Sequence, residues 1–136
     1  MKNVLKLLFS AIALFVGLNC MATTITEKIE GKIGNYPATI SYTMNIEKKT
    51  ITGYFIINSA NAPVRGKITL SGTFKHVPDP DVPHYPLYRA RMTAKTSTGG
   101  VCGSWIVDID TRMSIVEGKC SINGRSYKVS FDGTGY

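Results

Sequence analysis

Ala38, Ile40, Tyr42, Met44 and Ile46 alternate without a break with Thr39, Ser41, Thr43 and Asn45. A period of two sorts these residues onto opposite faces of an extended strand, one apolar and one wet, whereas a helix would mix the two sets. The chain beyond residue 23 keeps this character. Thr, Ile, Val and Tyr dominate, and no eleven-residue window carries a convincing 3.6-residue apolar period. Strands are predicted over Thr24–Glu30, Tyr36–Ile46, Thr50–Asn58, Val64–Phe74, Tyr85–Thr96, Val101–Asp110, Met113–Ile122 and Arg125–Asp132. Turn chemistry separates them at Gly31 and Gly34-Asn35, Glu47-Lys48-Lys49, Ser59 to Pro63, Ser97 to Gly100, Asp110 to Arg112, and Asn123-Gly124. Connections this short favour antiparallel pairing of sequence neighbours, which makes a meander.

Asn123-Gly124 fixes one register, because both residues tolerate the positive φ of a two-residue hairpin turn. Folding there sets Cys120 opposite Tyr127, Gly118 opposite Val129 and Val116 opposite Phe131, while Glu117 meets Ser130 and Lys119 meets Lys128 on the solvent face. Eight such strands would leave a bare apolar face in an open sheet. The expected fold is all-β: an eight-stranded antiparallel up-and-down meander closing into a small barrel. A two-sheet β-sandwich is the alternative. The interior of such a barrel is either filled by side chains or wide enough for one small ligand.

The first 22 residues stand apart from this pattern. Lys2 and Lys6 precede an uncharged apolar run from Leu7 to Leu18, and Cys20-Met21-Ala22 places small residues at the −3 and −1 positions of a cleavage site. The run is too short for a membrane span and predicts a secretory signal peptide, so the protein is expected to be exported, periplasmic or secreted, with no transmembrane helix. Cleavage after residue 22 of 136 leaves 114 residues, enough for a single barrel domain over 23–136. The alternative is a lipid anchor on Cys20, although Gly17 and Asn19 fit that signal poorly. In an oxidising compartment the two cysteines that survive cleavage, Cys102 and Cys120, are expected to form a disulfide. A three-residue turn around Thr111 would set them directly opposite each other.

Ile51-Thr52-Gly53-Tyr54, the run Gly66-Lys67-Ile68-Thr69-Leu70-Ser71-Gly72, and Thr98-Gly99 with Gly103 and Trp105 resemble the spacing in small secreted bacterial lipocalin-like β-barrel proteins. The resemblance implies a barrel and carries no catalytic residues with it.

Few residues suggest chemistry. The two histidines, His76 and His84, share one loop; a nucleophile elbow is missing, and the two mature cysteines are expected to pair. Asp108 and Asp110, two apart on one strand, could form a glycosidase acid pair, but they abut the Thr111-Arg112 corner, where Asp commonly starts a turn. The glycines at 99, 100 and 103 are too sparse for a phosphate loop. An enzyme is therefore not expected. The segment from His76 to His84, with Asp79 and Asp81 flanking Pro80, offers two imidazoles and two carboxylates suited to a divalent metal such as zinc if a turn at Asp79–Val82 folds its halves together. The plainer reading, and the favoured one, is a stiff polar loop.

The chain carries 16 Lys and Arg against 9 Asp and Glu. Arg89, Arg91 and Lys95 share one face of a strand, and Arg65 and Lys67 lie on its expected neighbour, giving a basic outer patch. A solvated face is the simplest account; weak aromatic interleaving and export argue against nucleic acid, leaving an acidic lipid, polysaccharide or protein as possible partners. An outer-membrane barrel is disfavoured by Lys67, Arg89 and Arg91 in mid-strand. The function expected is a non-catalytic binding protein holding a small or lipidic ligand or a partner protein at the barrel mouth. An inhibitor or immunity protein acting through the proline-rich loop at 75–86 is the alternative.

Overall fold

The computed structural model describes residues 23–78, 81 and 87–133. Eight strands follow one another: β1 Thr24–Ile33, β2 Tyr36–Asn45, β3 Thr50–Ile57, β4 Ile68–His76, β5 Leu87–Lys95, β6 Val101–Asp110, β7 Ile115–Ile122 and β8 Arg125–Asp132. Each pairs antiparallel with the next, and β8 returns to β1 to close a barrel. The two-sheet sandwich is thereby set aside. In the last hairpin Cys120 faces Tyr127, Gly118 faces Val129, and Lys119 faces Lys128, as Asn123-Gly124 requires.

Closure depends on residues that read as a turn in the sequence. Gly31, Lys32 and Ile33 continue β1 and pair with Phe131, Ser130 and Val129. Gly31 belongs in the strand because the Phe131 ring and backbone occupy the place its Cβ would take. The tight turn is left to Gly34-Asn35, with Gly34 at φ 60°. Following one row of partners around the wall, from Thr26 through Thr43, Thr52, Ser71 and Thr93 to Ser104, Ser121 and Ser126, returns to β1 at the level of position 36 instead of 26. That stagger tilts the strands, as closure of eight strands demands.

The starts of β4 and β7 also differ from the sequence expectation. β4 starts at Ile68, not Val64, because Ala62 and Val64 leave the wall and pack on the core from the connection at 58–67. β7 starts at Ile115 because the turn at 111–114 has four residues, not three. The Asp110 carboxylate accepts the Arg112 and Met113 N–H groups at 3.0 Å each, drawing both residues into the turn.

Side chains fill the interior. Trp105 is wholly buried, with its ring 5.0 Å from that of Phe55 and 6.4 Å from that of Phe131. Ile33, Ile40, Met44, Ile51, Leu70, Val116 and Val129 complete the packing around it. Of the two interiors the sequence allows, this barrel has the filled one.

Candidate functional site

The meander sorts the connections onto two ends. At one end lie the turn at 34–35, the connection at 58–67, the turn at 96–100 and Asn123-Gly124. This end is plugged: Ala62, Val64, Tyr36 and Tyr127 pack on the core, and the Asn123 side chain donates to the Pro63 carbonyl at 3.4 Å. At the other end lie the turn at 46–49, the connection from β4 to β5, the turn at 111–114 and the segment after β8.

Polar groups enter the interior at this second end. Glu27, Asp110 and Ser114 are the buried polar and charged residues of the described chain, at 3, 6 and 7 % exposure. Glu27 occupies an inward position of β1, directly across from Tyr42 on β2. The Ser114 hydroxyl donates to Glu27 Oε1 at 2.6 Å, fastening the β6–β7 turn across the barrel end. Ser114 holds a left-handed backbone with φ 56°, a conformation uncommon for a residue with a side chain. The Tyr42 hydroxyl is buried without a hydrogen-bond partner. Burial, and after it the nearby Asp110 charge, push its ionisation well above the ordinary tyrosine range. A buried polar group left unpaired costs about 1–3 kcal/mol; the Tyr42 hydroxyl bears that cost beside two carboxylates, and Trp105 Nε1 bears it in the filled interior. None of Glu27, Tyr42 and Ser114 stands out by motif. The signal available was parity: Ile25, Glu27, Ile29, Gly31 and Ile33 share one side of β1, and a carboxylate in such a row is misplaced unless it has partners.

Asp108 and Asp110 do not form an acid pair. Asp108 is held by Arg89, which donates from Nε at 2.8 Å and from a terminal nitrogen at 3.3 Å, while the Asp110 carboxylate is buried and taken up by the N–H groups of the turn. The hydrogen bond and charge of Asp108 raise the Arg89 pKa further.

Of the loop residues considered for zinc, His76 ends β4 with its ring 5.7 Å from Tyr88, and Asp81 is exposed. Asp79 and His84 lie outside the described residues, as does Cys20. Among the described residues, no three His, Cys, Asp or Glu side chains are grouped to hold a metal. The basic residues divide. Arg89, Arg91 and Lys95 share the outer face of β5, whereas Arg65 and Lys67 precede β4, Arg65 donating to the Ala60 carbonyl and Lys67 lying 4.4 Å above the Tyr54 ring.

Cys102 and Cys120 are both buried thiols and do not oppose each other. The four-residue turn sets Trp105 opposite Cys120, and the Asn123 N–H donates to the Cys102 carbonyl at 2.7 Å. Cys102 is the extra residue of a bulge against β5, where the register slips between Ala94 and Lys95. The bulge turns its side chain inward, close enough to Cys120 for the two to interact electrostatically. Burial, reinforced by Cys102, raises the Cys120 thiol to about 12.

No protein-family model, no curated protein and no solved structure matches this chain. No helix among the described residues is long and apolar enough to cross a membrane.

Proposed function

We propose that this is a non-catalytic exported binding protein that engages its ligand or partner protein at the end of the barrel holding Glu27, Tyr42, Asp110 and Ser114. The observation that carries this reading is the unpaired Tyr42 hydroxyl beside Asp110, buried at the one end that the 58–67 connection does not plug. A filled interior supports recognition at the mouth rather than enclosure of a whole molecule. Export rests on residues 1–22 acting as a signal peptide, with lipidation of Cys20 as its variant form. A Cys102–Cys120 disulfide belongs to the same reading; thiol titration of the unreduced, denatured protein then finds no free thiol.

A second reading, an inhibitor acting through the 75–86 loop, draws on the stem of that loop. The β4–β5 ladder runs on to His76 and Tyr88, and Val77 N–H donates to the Leu87 carbonyl at 2.8 Å, a firm base for a presented loop. Native mass spectrometry of the protein recovered from its own host separates the two. A bound molecule that is lost in Glu27→Gln and Tyr42→Phe but kept when residues 78–86 are replaced by a Gly-Ser linker supports the mouth. A stoichiometric enzyme partner lost only with the loop overturns it.

A further inference from the structure

The outer wall of β5 to β8 carries a charge arrangement that stability does not explain. Arg91 on β5 is level with Ile106 on β6, Ile106 with Lys119 on β7, and Lys119 with Lys128 on β8. All four side chains are exposed, Ile106 at 46 %. Lys119 and Lys128 are direct cross-strand partners, and like charges in that position repel. Among the described residues no carboxylate is paired with Arg91, Lys119 or Lys128. The acids of the adjacent row are Asp108, held by Arg89, and Glu117, which faces Asp108 and Ser130. On the other side runs a row of hydroxyls, Thr93, Ser104, Ser121 and Ser126.

We propose that this wall binds an acidic polysaccharide chain, laid along Arg91–Ile106–Lys119–Lys128 with the Thr93, Ser104 and Ser121 hydroxyls beside it. Strands about 4.8 Å apart spread these four positions over about 14 Å, so the cations form a line suited to a chain of repeated anionic groups. Exposed Ile106 interrupts the cations with an apolar surface against which the C–H face of a sugar ring can rest. Hydroxyls alongside supply neutral donors and acceptors for sugar hydroxyls. A polysaccharide is favoured over a bilayer because the row follows a convex wall, and the other large exposed apolar side chains, Val101 and Met113, lie at opposite ends of β6 and its turn, offering no joint insertion surface. It is favoured over nucleic acid because neither row contains an aromatic side chain for base stacking. This surface is separate from the barrel mouth and stands or falls independently of it.

Retention of the full mature domain on immobilised dextran sulfate, with neutral dextran as the control matrix, tests the site. Wild type is retained on the sulfated matrix alone and elutes as salt screens the contacts. Lys128→Glu turns a repulsive pair into an attractive one, so it weakens binding by about tenfold while its Tm rises. Lys119→Ser weakens binding in the same direction. Lys48→Glu makes the same charge reversal in the exposed turn at 46–49 and leaves retention unchanged. Equal losses from Lys48→Glu and Lys128→Glu would show attraction to net charge alone and overturn the site. So would absence of retention, retention unaltered in both wall variants, or tighter binding to phosphatidylglycerol vesicles than to dextran sulfate.

Discussion

The Ser114 hydroxyl donates to the Glu27 carboxylate at 2.6 Å across 87 positions of sequence, tying the β6–β7 turn to the first strand. Hydrogen bonds to charged groups contribute about 1.5–3 kcal/mol, and this one is sheltered from water. Ser114→Ala should therefore destabilise the protein by about 2 kcal/mol in urea denaturation. Ser114→Gly should cost less, because glycine relaxes the φ of 56° while losing the same bond. Equal losses for the two variants would remove backbone strain from the account.

Alkaline pH should unfold the reduced protein sooner than surface charge alone would. The Cys120 thiol rises from 9.0 to about 12 on folding, and Tyr42 also rises above its ordinary 10.0. Both are groups that carry charge only after losing a proton, so the unfolded chain ionises first and holds fewer protons. Stability is complete below pH 9 and falls as pH climbs from 9 towards 12, by at most about 1.4 kcal/mol per pH unit for each ionising group. Urea midpoints at pH 8 and pH 10.5 check the sign, and Cys120→Ala should flatten the dependence. By the same cause, Cys120 in the folded, reduced protein should resist alkylation at neutral pH until denaturant is added.

The parts of the fold that were legible in the sequence are those governed by local chemistry. Asn123-Gly124 set the register of β7 and β8 residue by residue, since a two-residue turn leaves no freedom. Strict alternation from Ala38 to Ile46 gave β2 and its inward face. Errors arose where a tertiary contact overrode the local signal. Gly31 reads as a turn until Phe131 is known to lie against it, and the turn after Asp110 reads as three residues until its carboxylate is seen to gather two N–H groups. The turn is one residue longer and also begins one residue later, at 111–114 in place of 110–112, so the β6–β7 register moves by three positions and Cys120 faces Trp105 in place of Cys102. Glu27 was not singled out in the sequence, although it shares the inward parity of Ile25 and Ile29, because its partners come from β2 and the β6–β7 turn, which no local pattern brings together.

Trp105, the single tryptophan of the chain, reports directly on the filled interior. Its ring is wholly buried between Phe55 and Phe131. The folded protein should emit at short wavelength with little quenching by acrylamide, and unfolding should shift the emission to the red in step with the loss of strand signal in circular dichroism. Strong quenching in the native state would mean a solvent-filled barrel. Trp105→Ala should cost about 3–5 kcal/mol, the range for deleting a large buried aromatic.

Gly53 tests how closely the wall is wound. It is the cross-strand partner of Tyr42, and a Cβ there would stand 2.8 Å from the Tyr42 Cα, against backbone that a rotamer change cannot clear. Gly72 repeats the arrangement at Met92. Where strands coil into a barrel this tight, the inward positions at sharp bends have no room for a side chain. Gly53→Ala should therefore destabilise by about 1–3 kcal/mol, the usual cost of forcing an extra methyl group into a packed core, although alanine is ordinarily harmless in an exposed strand. The displaced Tyr42 also joins this test to the barrel mouth. If its hydroxyl recognises ligand there, Gly53→Ala should weaken binding more than a variant of equal stability loss at the plugged end, such as Ile122→Val, and equal weakening would assign the effect to stability alone.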